Sequence, residues 1–328
     1  MIWRHLLLAV PDIAFVPEHA LDRVGRIARG LQAQVELFNS VYEPEIARAP
    51  ATREQLEGHI AERIGEHHRR LERHGDTLRD QGLKVHASVR WDYPFDEAVV
   101  RQVLRHRPDL LILPASHAGA ASPRVSAYRE ARLIETCPCP LLLLRTDNVY
   151  STGSVVAAVD PLHAYEIPAE LDEAIIAAAK TVAYALADAD VRVFHAVSAL
   201  PAGAGAARAG RAPVSVQQEA RLAAAQARVR EIAFRHSIPE DDVRVELGVV
   251  ETALASFARD VRAQIVVMGA VSRSFPERAY FGHTAERVLS ALACDVLVIR
   301  PRGFRSPVSA EPAPAVSSGI GEQQSSAT

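Results

Sequence analysis

The sequence predicts an α/β protein made of two tandem, doubly wound parallel sheets of five strands each. Short runs of Val, Leu and Ile alternate with amphipathic helical stretches over about the first 300 residues. That alternation is the pattern of a parallel sheet covered by helices on both faces. The pattern also occurs twice. "RPDLLILPAS" (Arg107–Ser116) resembles "RAQIVVMGAV" (Arg262–Val271), and "CPLLLLR" (Cys139–Arg145) resembles "CDVLVIR" (Cys294–Arg300), each pair offset by 155 residues. "HLLLAVPD" (His5–Asp12) resembles "SVVAAVDP" (Ser154–Pro161) at an offset of 149. Matched blocks in the same order at nearly one spacing identify an internal repeat.

The elements of the second copy follow in order. Val155–Val159 reads as a strand. A helix follows, with Leu171, Ile175, Ile176, Ala179, Val182, Ala183 and Leu186 on one stripe. Val191–Val197 is a strand, Gln217–His236 a helix and Val243–Leu247 a strand. Thr252–Val261 is a helix with Thr252 as its expected N-cap. Ile265–Met268, Thr284–Leu292 and Val296–Ile299 complete the copy as strand, helix and strand. The first copy repeats this order, with a long Arg- and Glu-rich helix across Arg53–Arg79. The halves divide at 1–147 and 154–303, joined by the linker "NVYSTG" (Asn148–Gly153); residues 304–328, rich in Ser, Pro, Ala and Gly, form a tail expected to be disordered.

Composition narrows the function. The 37 Lys+Arg against 40 Asp+Glu leave a net charge of −3, with no isolated basic run, which argues against direct nucleic-acid binding. No stretch of about 18 apolar residues exists to span a membrane. The apolar run after Met1 is short and ends at Pro11, so no signal peptide is expected and the chain reads as cytoplasmic. Cys137, Cys139 and Cys294 adjoin strand-like runs and read as buried reduced thiols. "CPC" lacks the C-x-x-C spacing of a redox or metal motif. His67, His68 and His74 on the long helix read as solvated, and His195 as a satisfied core residue, so no metal ligand and no catalytic residue is assigned.

Ligands of open parallel sheets lie beyond the carboxyl ends of the strands, where the strand order reverses. In the second copy that edge collects Asp160, Val197, the Gly248–Val249 turn and "MGAVSRSFPERAYFGHTAERVL" (Met268–Leu289). Glycines there allow backbone N–H groups to approach a phosphate. A helix starting near Thr284 would turn its N-terminus, with its unpaired N–H groups, to the same place. Arg273 and Arg278 would add positive charge, and Asp160 would accept a hydrogen bond from a base or ribose. The bland alternatives are a surface loop, a turn aspartate before Pro161 and a simple N-cap.

At these residues the chain resembles the universal stress proteins, with their flavodoxin-like (adenine nucleotide alpha hydrolase-like) fold and nucleotide loop G-x₂-G-x₉-G-[S/T]. Gly269 and Gly282 take the first and last glycine positions, Ser272 stands in the second, and His283 replaces the Ser/Thr, with Thr284 one place later. "WDYPFDEAVV" (Trp91–Val100) and "GHTAERVL" with "CDVLVIRPRGFRSPV" resemble the tandem E-type members of the family. The resemblance covers about residues 1–308. It implies a stress-response protein that binds ATP, with Mg²⁺, or a nucleotide-like small molecule in the second half, without fast turnover. The residues expected to hold the ligand are Asp160, Val197, Val249, Met268, Gly269, Ser272, Arg273, Gly282, His283 and Thr284. It also implies a homodimer or an intramolecular pairing of the two halves. A nucleotide-independent interaction scaffold and a slow nucleotide hydrolase are the competing readings. In the first copy Pro114, His117 and Ala127 take the three glycine positions, and Pro11 takes that of Asp160. That half is expected to have lost nucleotide binding.

Overall fold

The computed structural model describes residues 1–48, 52–115, 123–147, 150, 153–162, 170–187, 189–198, 216–270 and 283–311. The first half runs β1 (His5–Ala9), α1 (Glu18–Leu31), β2 (Gln34–Val41), α2 (Pro44–Arg48), α3 (Arg53–Arg79), β3 (Val85–Trp91), α4 (Phe95–His106), β4 (Leu110–Pro114), α5 (Pro123–Thr136) and β5 (Leu141–Leu144). The second runs β6 (Ser154–Ala158), α6 (Glu170–Ala185), β7 (Asp190–Val197), α7 (Val216–Arg235), β8 (Val243–Leu247), α8 (Val250–Asp260), β9 (Ala263–Gly269), α9 (His283–Ala291) and β10 (Asp295–Ile299). The long α3 begins at a reciprocal cap: the Thr52 hydroxyl accepts from the Gln55 N–H, and the Gln55 side chain accepts from the Thr52 N–H.

The expected pair of five-stranded sheets is one continuous sheet of ten strands, in the order β3-β2-β1-β4-β5-β10-β9-β6-β7-β8. Each half contributes the same internal order. Every neighbouring pair is parallel except β5 with β10, where Leu141–Leu143 run antiparallel to Val296–Val298. The two last strands therefore close the halves onto each other within one chain. Successive residues of each strand feed opposite faces: Leu6 and Leu8 pack in one core cluster, Leu7 and Ala9 in the other. That alternation, with helices over both faces, explains why the central strands are apolar at nearly every position. Helix α1 of the first half lies against α6 of the second. A β-carbon on Gly30 would come within 2.3 Å of the Ala185 carbonyl oxygen, so only glycine permits this approach.

A buried polar joint fastens the halves. Asp295, at the head of β10, has no solvent exposure. Its carboxylate accepts from Arg23 Nη1 at 2.8 Å and from the Tyr150 hydroxyl at 2.7 Å. The backbone N–H of Arg145 donates to it at 2.8 Å. Arg23, on α1, reaches Thr146 Oγ1 with its other terminal nitrogen at 2.9 Å and lies 4.9 Å from the centre of the Tyr150 ring. Tyr150 belongs to the segment expected to be a linker, yet it is buried at this joint.

Among the further buried polar groups of the first half, three stand out by their hydrogen bonds. Arg101 grips Asp92 with two hydrogen bonds of 2.8 and 2.7 Å. These residues lie within and just after the "WDYPFDEAVV" stretch. Glu36, on β2, is the second. One carboxylate oxygen accepts from His5 Nε2 at 3.1 Å and His106 Nδ1 at 2.9 Å; the other accepts from the Ser88 hydroxyl at 3.0 Å and the Gln102 amide at 2.5 Å. Burial by itself would raise the Glu36 pKa, but the bonds from His5, Gln102 and His106 outweigh it and hold the carboxyl at about 2. The third is Asn39, whose amide donates to the Val10 carbonyl at 2.7 Å.

The α3 histidines differ from the solvated row expected. His67 Nδ1 donates to Asn39 Oδ1 at 2.9 Å, His68 Nε2 to the Ala87 carbonyl at 3.2 Å and His74 Nε2 to the Ile13 carbonyl at 3.3 Å. The helix lies along the sheet, and its imidazoles cap groups there. Of the C-terminal segment, residues 304–311 are described. Val308 packs against the second core cluster, and the Ala310 carbonyl accepts from Arg105 at 3.1 Å. Among the described residues no helix is long and apolar enough to cross a membrane.

Candidate functional site

In the second half the chain leaves β6 toward β7 on one side, while β9 pairs on the other. The switch in strand order therefore falls between β6 and β9, whose ends are in register at Ala158 and Met268. In folds of this kind a ligand crevice lies where the two connections depart in opposite directions.

Asp160 stands two residues beyond β6. Its backbone N–H donates to Asp172 Oδ1 at 2.9 Å, which fixes the turn onto the first turn of α6. Its side chain is 43% exposed, and Oδ1 lies 3.8 Å from His195 Nδ1. His195 itself is a core residue, as its position on β7 suggested. It donates through Nδ1 to the Val159 carbonyl at 2.9 Å and so pins the strand end that carries Asp160. Gly269 closes β9 across the crevice. A β-carbon there would sit 2.8 Å from Leu171 Cδ2, so the start of α6 packs directly on the glycine. Met268 beside it is buried.

Val197 and Val249 lie further along the same edge, at the end of β7 and just past β8. Val197 is buried, and its carbonyl accepts from the Gly248 N–H at 3.0 Å. Val249 is 58% exposed and occupies the N-cap of α8. This corrects the expected cap: α8 starts at Val250, and Thr252 lies inside its first turn. His283 and Thr284 are the first two residues of α9, one residue earlier than expected. Ser272, Arg273 and Gly282 lie outside the described residues. The structure thus gathers Asp160, Met268 and Gly269 at the crevice, with Val197 and Val249 beside it.

Sequence reasoning did not find Asp172 as the anchor of the Asp160 turn. Its only signal was a first-turn acid on α6, which Glu170 and Glu173 share. Among the described residues, no three or more His, Cys, Asp or Glu side chains are grouped to hold a metal ion.

The first half shows the same scaffold with different contents. The Asn39 bond to Val10 occupies the place of the His195 bond to Val159, one residue past the matched pairs Ala9–Phe38 and Ala158–Phe194. Ala127 is an interior residue of α5. The Arg129 guanidinium lies 5.2 Å from the centre of the Phe95 ring. Burial lowers its pKa, while the nearby Asp96 and Asp12 carboxylates raise it. Glu130 sits 3.8 Å from Arg145, with its carboxyl pushed up by burial and pulled back by that arginine. Charged groups of α5 thus find partners within the protein.

The fold and its switch-point crevice define a doubly wound α/β protein of the flavodoxin-like type. Residues 164–300 match the model of the universal stress protein family, and curated relatives extend the likeness over both halves. Universal stress protein E of Escherichia coli (strain K12) is 24% identical over 285 residues, 86% of this chain and 88% of that protein. The universal stress protein E homolog of Haemophilus influenzae is 20% identical over 282 residues, 83% of this chain and 86% of the relative. Among solved structures, a universal stress protein from Archaeoglobus fulgidus DSM 4304 superposes with a TM-score of 0.56 at 13% identity, covering 90% of this chain and 98% of that one. A functionally unknown protein from Pseudomonas aeruginosa PAO1 superposes with a TM-score of 0.65 at 22% identity, covering 91% and 93%. The likeness to these structures is one of fold.

Proposed function

We propose that this chain is a cytoplasmic stress-response protein whose second half, residues 154–303, binds ATP with Mg²⁺ or a closely similar nucleotide. The observation that carries this reading is the half-exposed Asp160 carboxylate just beyond β6, whose end is in register with the end of β9 that carries Gly269. A carboxylate at that edge accepts hydrogen bonds from an amino group or ribose hydroxyl. Ser272, Arg273, Gly282, His283 and Thr284 would complete the phosphate side, and Val197, Val249 and Met268 the base side. Residues 1–147 form the other half, in which the Asp96 and Asp12 carboxylates act on the buried Arg129 guanidinium. That half pairs with its twin within the chain through β5 and β10 and binds no nucleotide.

Thermal unfolding with excess ATP and Mg²⁺ tests the reading. Ligand at about 100 times its dissociation constant adds about 2.7 kcal/mol to the stability of the folded state. Asp160→Ala is expected to remove most of that shift while leaving the unliganded melting temperature nearly unchanged. Titration calorimetry should give one site per chain. No shift at millimolar ATP, or two equal sites, would overturn it.

A further inference from the structure

The Cys-Pro-Cys sequence lacks a redox spacing, but the fold gives it redox geometry. Cys137 and Cys139 flank Pro138 between α5 and β5, and their sulfurs lie 3.5 Å apart. Both thiols are free. A disulfide needs about 2.0 Å between sulfurs, so closure takes roughly 1.5 Å of movement. Cys137 is buried, whereas Cys139 is partly exposed, as are Pro138 and Pro140.

A second observation points to the same place. Arg300, just past β10 in the other half, is only 9% exposed, and its Nη2 is buried without a hydrogen-bond partner among the described residues. Its Nε donates to the Cys137 carbonyl at 3.2 Å, and its guanidinium lies 4.3 Å from the centre of the Phe304 ring. Burial pushes the Arg300 pKa down to about 10, and the charge of a Cys137 thiolate would raise it again. For Cys137, burial raises the pKa, but hydrogen bonding with Cys139 and the Arg300 charge outweigh it and bring the thiol below its ordinary value. Cys139 moves the opposite way, chiefly through its hydrogen bond with Cys137 and its burial. The third thiol, Cys294, has no such partner and is pushed up to about 12 by burial and the neighbouring Asp295.

We propose that Cys137 and Cys139 form a reversible two-cysteine oxidation site that reacts with hydroperoxides, with Cys137 attacking and Cys139 resolving. The Cys137 thiolate attacks the peroxide: an S–O bond forms as the O–O bond breaks, and the second oxygen leaves with a proton as water or an alcohol. The sulfenic acid on Cys137 is then displaced by the Cys139 sulfur. The S–S bond forms, and the departing hydroxide takes the Cys139 proton to give water. Two electrons pass from the thiols to the peroxide, and a dithiol reductant returns them. Arg300 acts as a positioning residue that stabilises the thiolate.

The full chain is treated with hydrogen peroxide, alkylated, digested with trypsin and analysed by mass spectrometry. Peptide 133–145 holds both cysteines. It is expected to lose two hydrogens and to regain alkylation after dithiothreitol, while Cys294 stays reduced and alkylatable. Cys139→Ser should trap a sulfenic acid on Cys137, and Cys137→Ser should oxidise only slowly. Arg300→Gln should slow disulfide formation about tenfold near neutral pH, and Arg300→Lys should restore much of the rate. Disulfides between chains, oxidation of Cys294 at an equal rate, or peptide 133–145 unchanged under peroxide would overturn the proposal. An unaltered rate in Arg300→Gln would overturn the part assigned to Arg300.

Discussion

Replacing Asp295 with alanine is expected to destabilise the protein by about 3–5 kcal/mol, measured as a shift of the chemical denaturation midpoint. The carboxylate is fully buried and neutralises Arg23, which is itself 1% exposed. Removing it leaves a guanidinium in the core without its counter-charge and strips the Tyr150 hydroxyl of its acceptor. Arg23→Ala should cost a similar amount, because the uncompensated charge is then the carboxylate. The two losses should not add, since both break one interaction. A double variant, Arg23→Met with Asp295→Leu, should recover a good part of the loss, as apolar side chains fill the space without a desolvation cost. Because the pair joins α1 to β10, the single variants should also loosen one half from the other. A cost below about 1 kcal/mol in either single variant would show that the ion pair does not hold this joint.

Glu36 gives the second large effect, and it depends on pH. The carboxyl titrates at about 2 in the folded protein, below the ordinary glutamate value of 4.5. A folded pKa below the unfolded one means that the unfolded chain binds the proton more tightly between those values. The stability conferred by ionised Glu36 is therefore fully present above about pH 4.5 and is lost as pH falls toward 2. The difference of roughly 2.5 pH units corresponds to about 3 kcal/mol. Glu36→Gln should be less stable than the parent by an amount of this order at pH 7, and urea unfolding at successive pH values should show the gap closing below pH 4.5. A gap that stays constant down to pH 3 would mean that the four donors around Glu36 do not favour its charged form.

The fold was legible because its signals are local. Each strand announces itself by a buried apolar run such as Leu141–Leu144 or Val296–Ile299, and each helix by its stripe. The α3 boundaries match the sequence reading residue for residue, because Thr52 and Gln55 cap the helix from within four residues. Thr252 has the side chain of a cap, but α8 begins at Val250 with Val249 as its N-cap and no side-chain cap bond. The crevice was legible in part. Asp160 and Gly269 stand at strand ends, and the place of strand ends follows from the alternation of elements. Asp172 and His195, which fix that edge, act through contacts to residues 12 and 36 positions away.

The sequence by itself determined the α/β class, the repeated order of elements and the edge where a ligand would lie, because all three rest on hydrophobic period and on spacing along the chain. Tertiary structure alone decided how the copies join. Nothing local to "CDVLVIR" reveals that β10 pairs antiparallel with β5, or that Arg23, 272 residues away, neutralises Asp295. Nor does "CPC" reveal a buried guanidinium from the other half. Hydrophobic patterning states that a residue is buried; which charge or hydroxyl meets it there is settled only when two distant segments pack together.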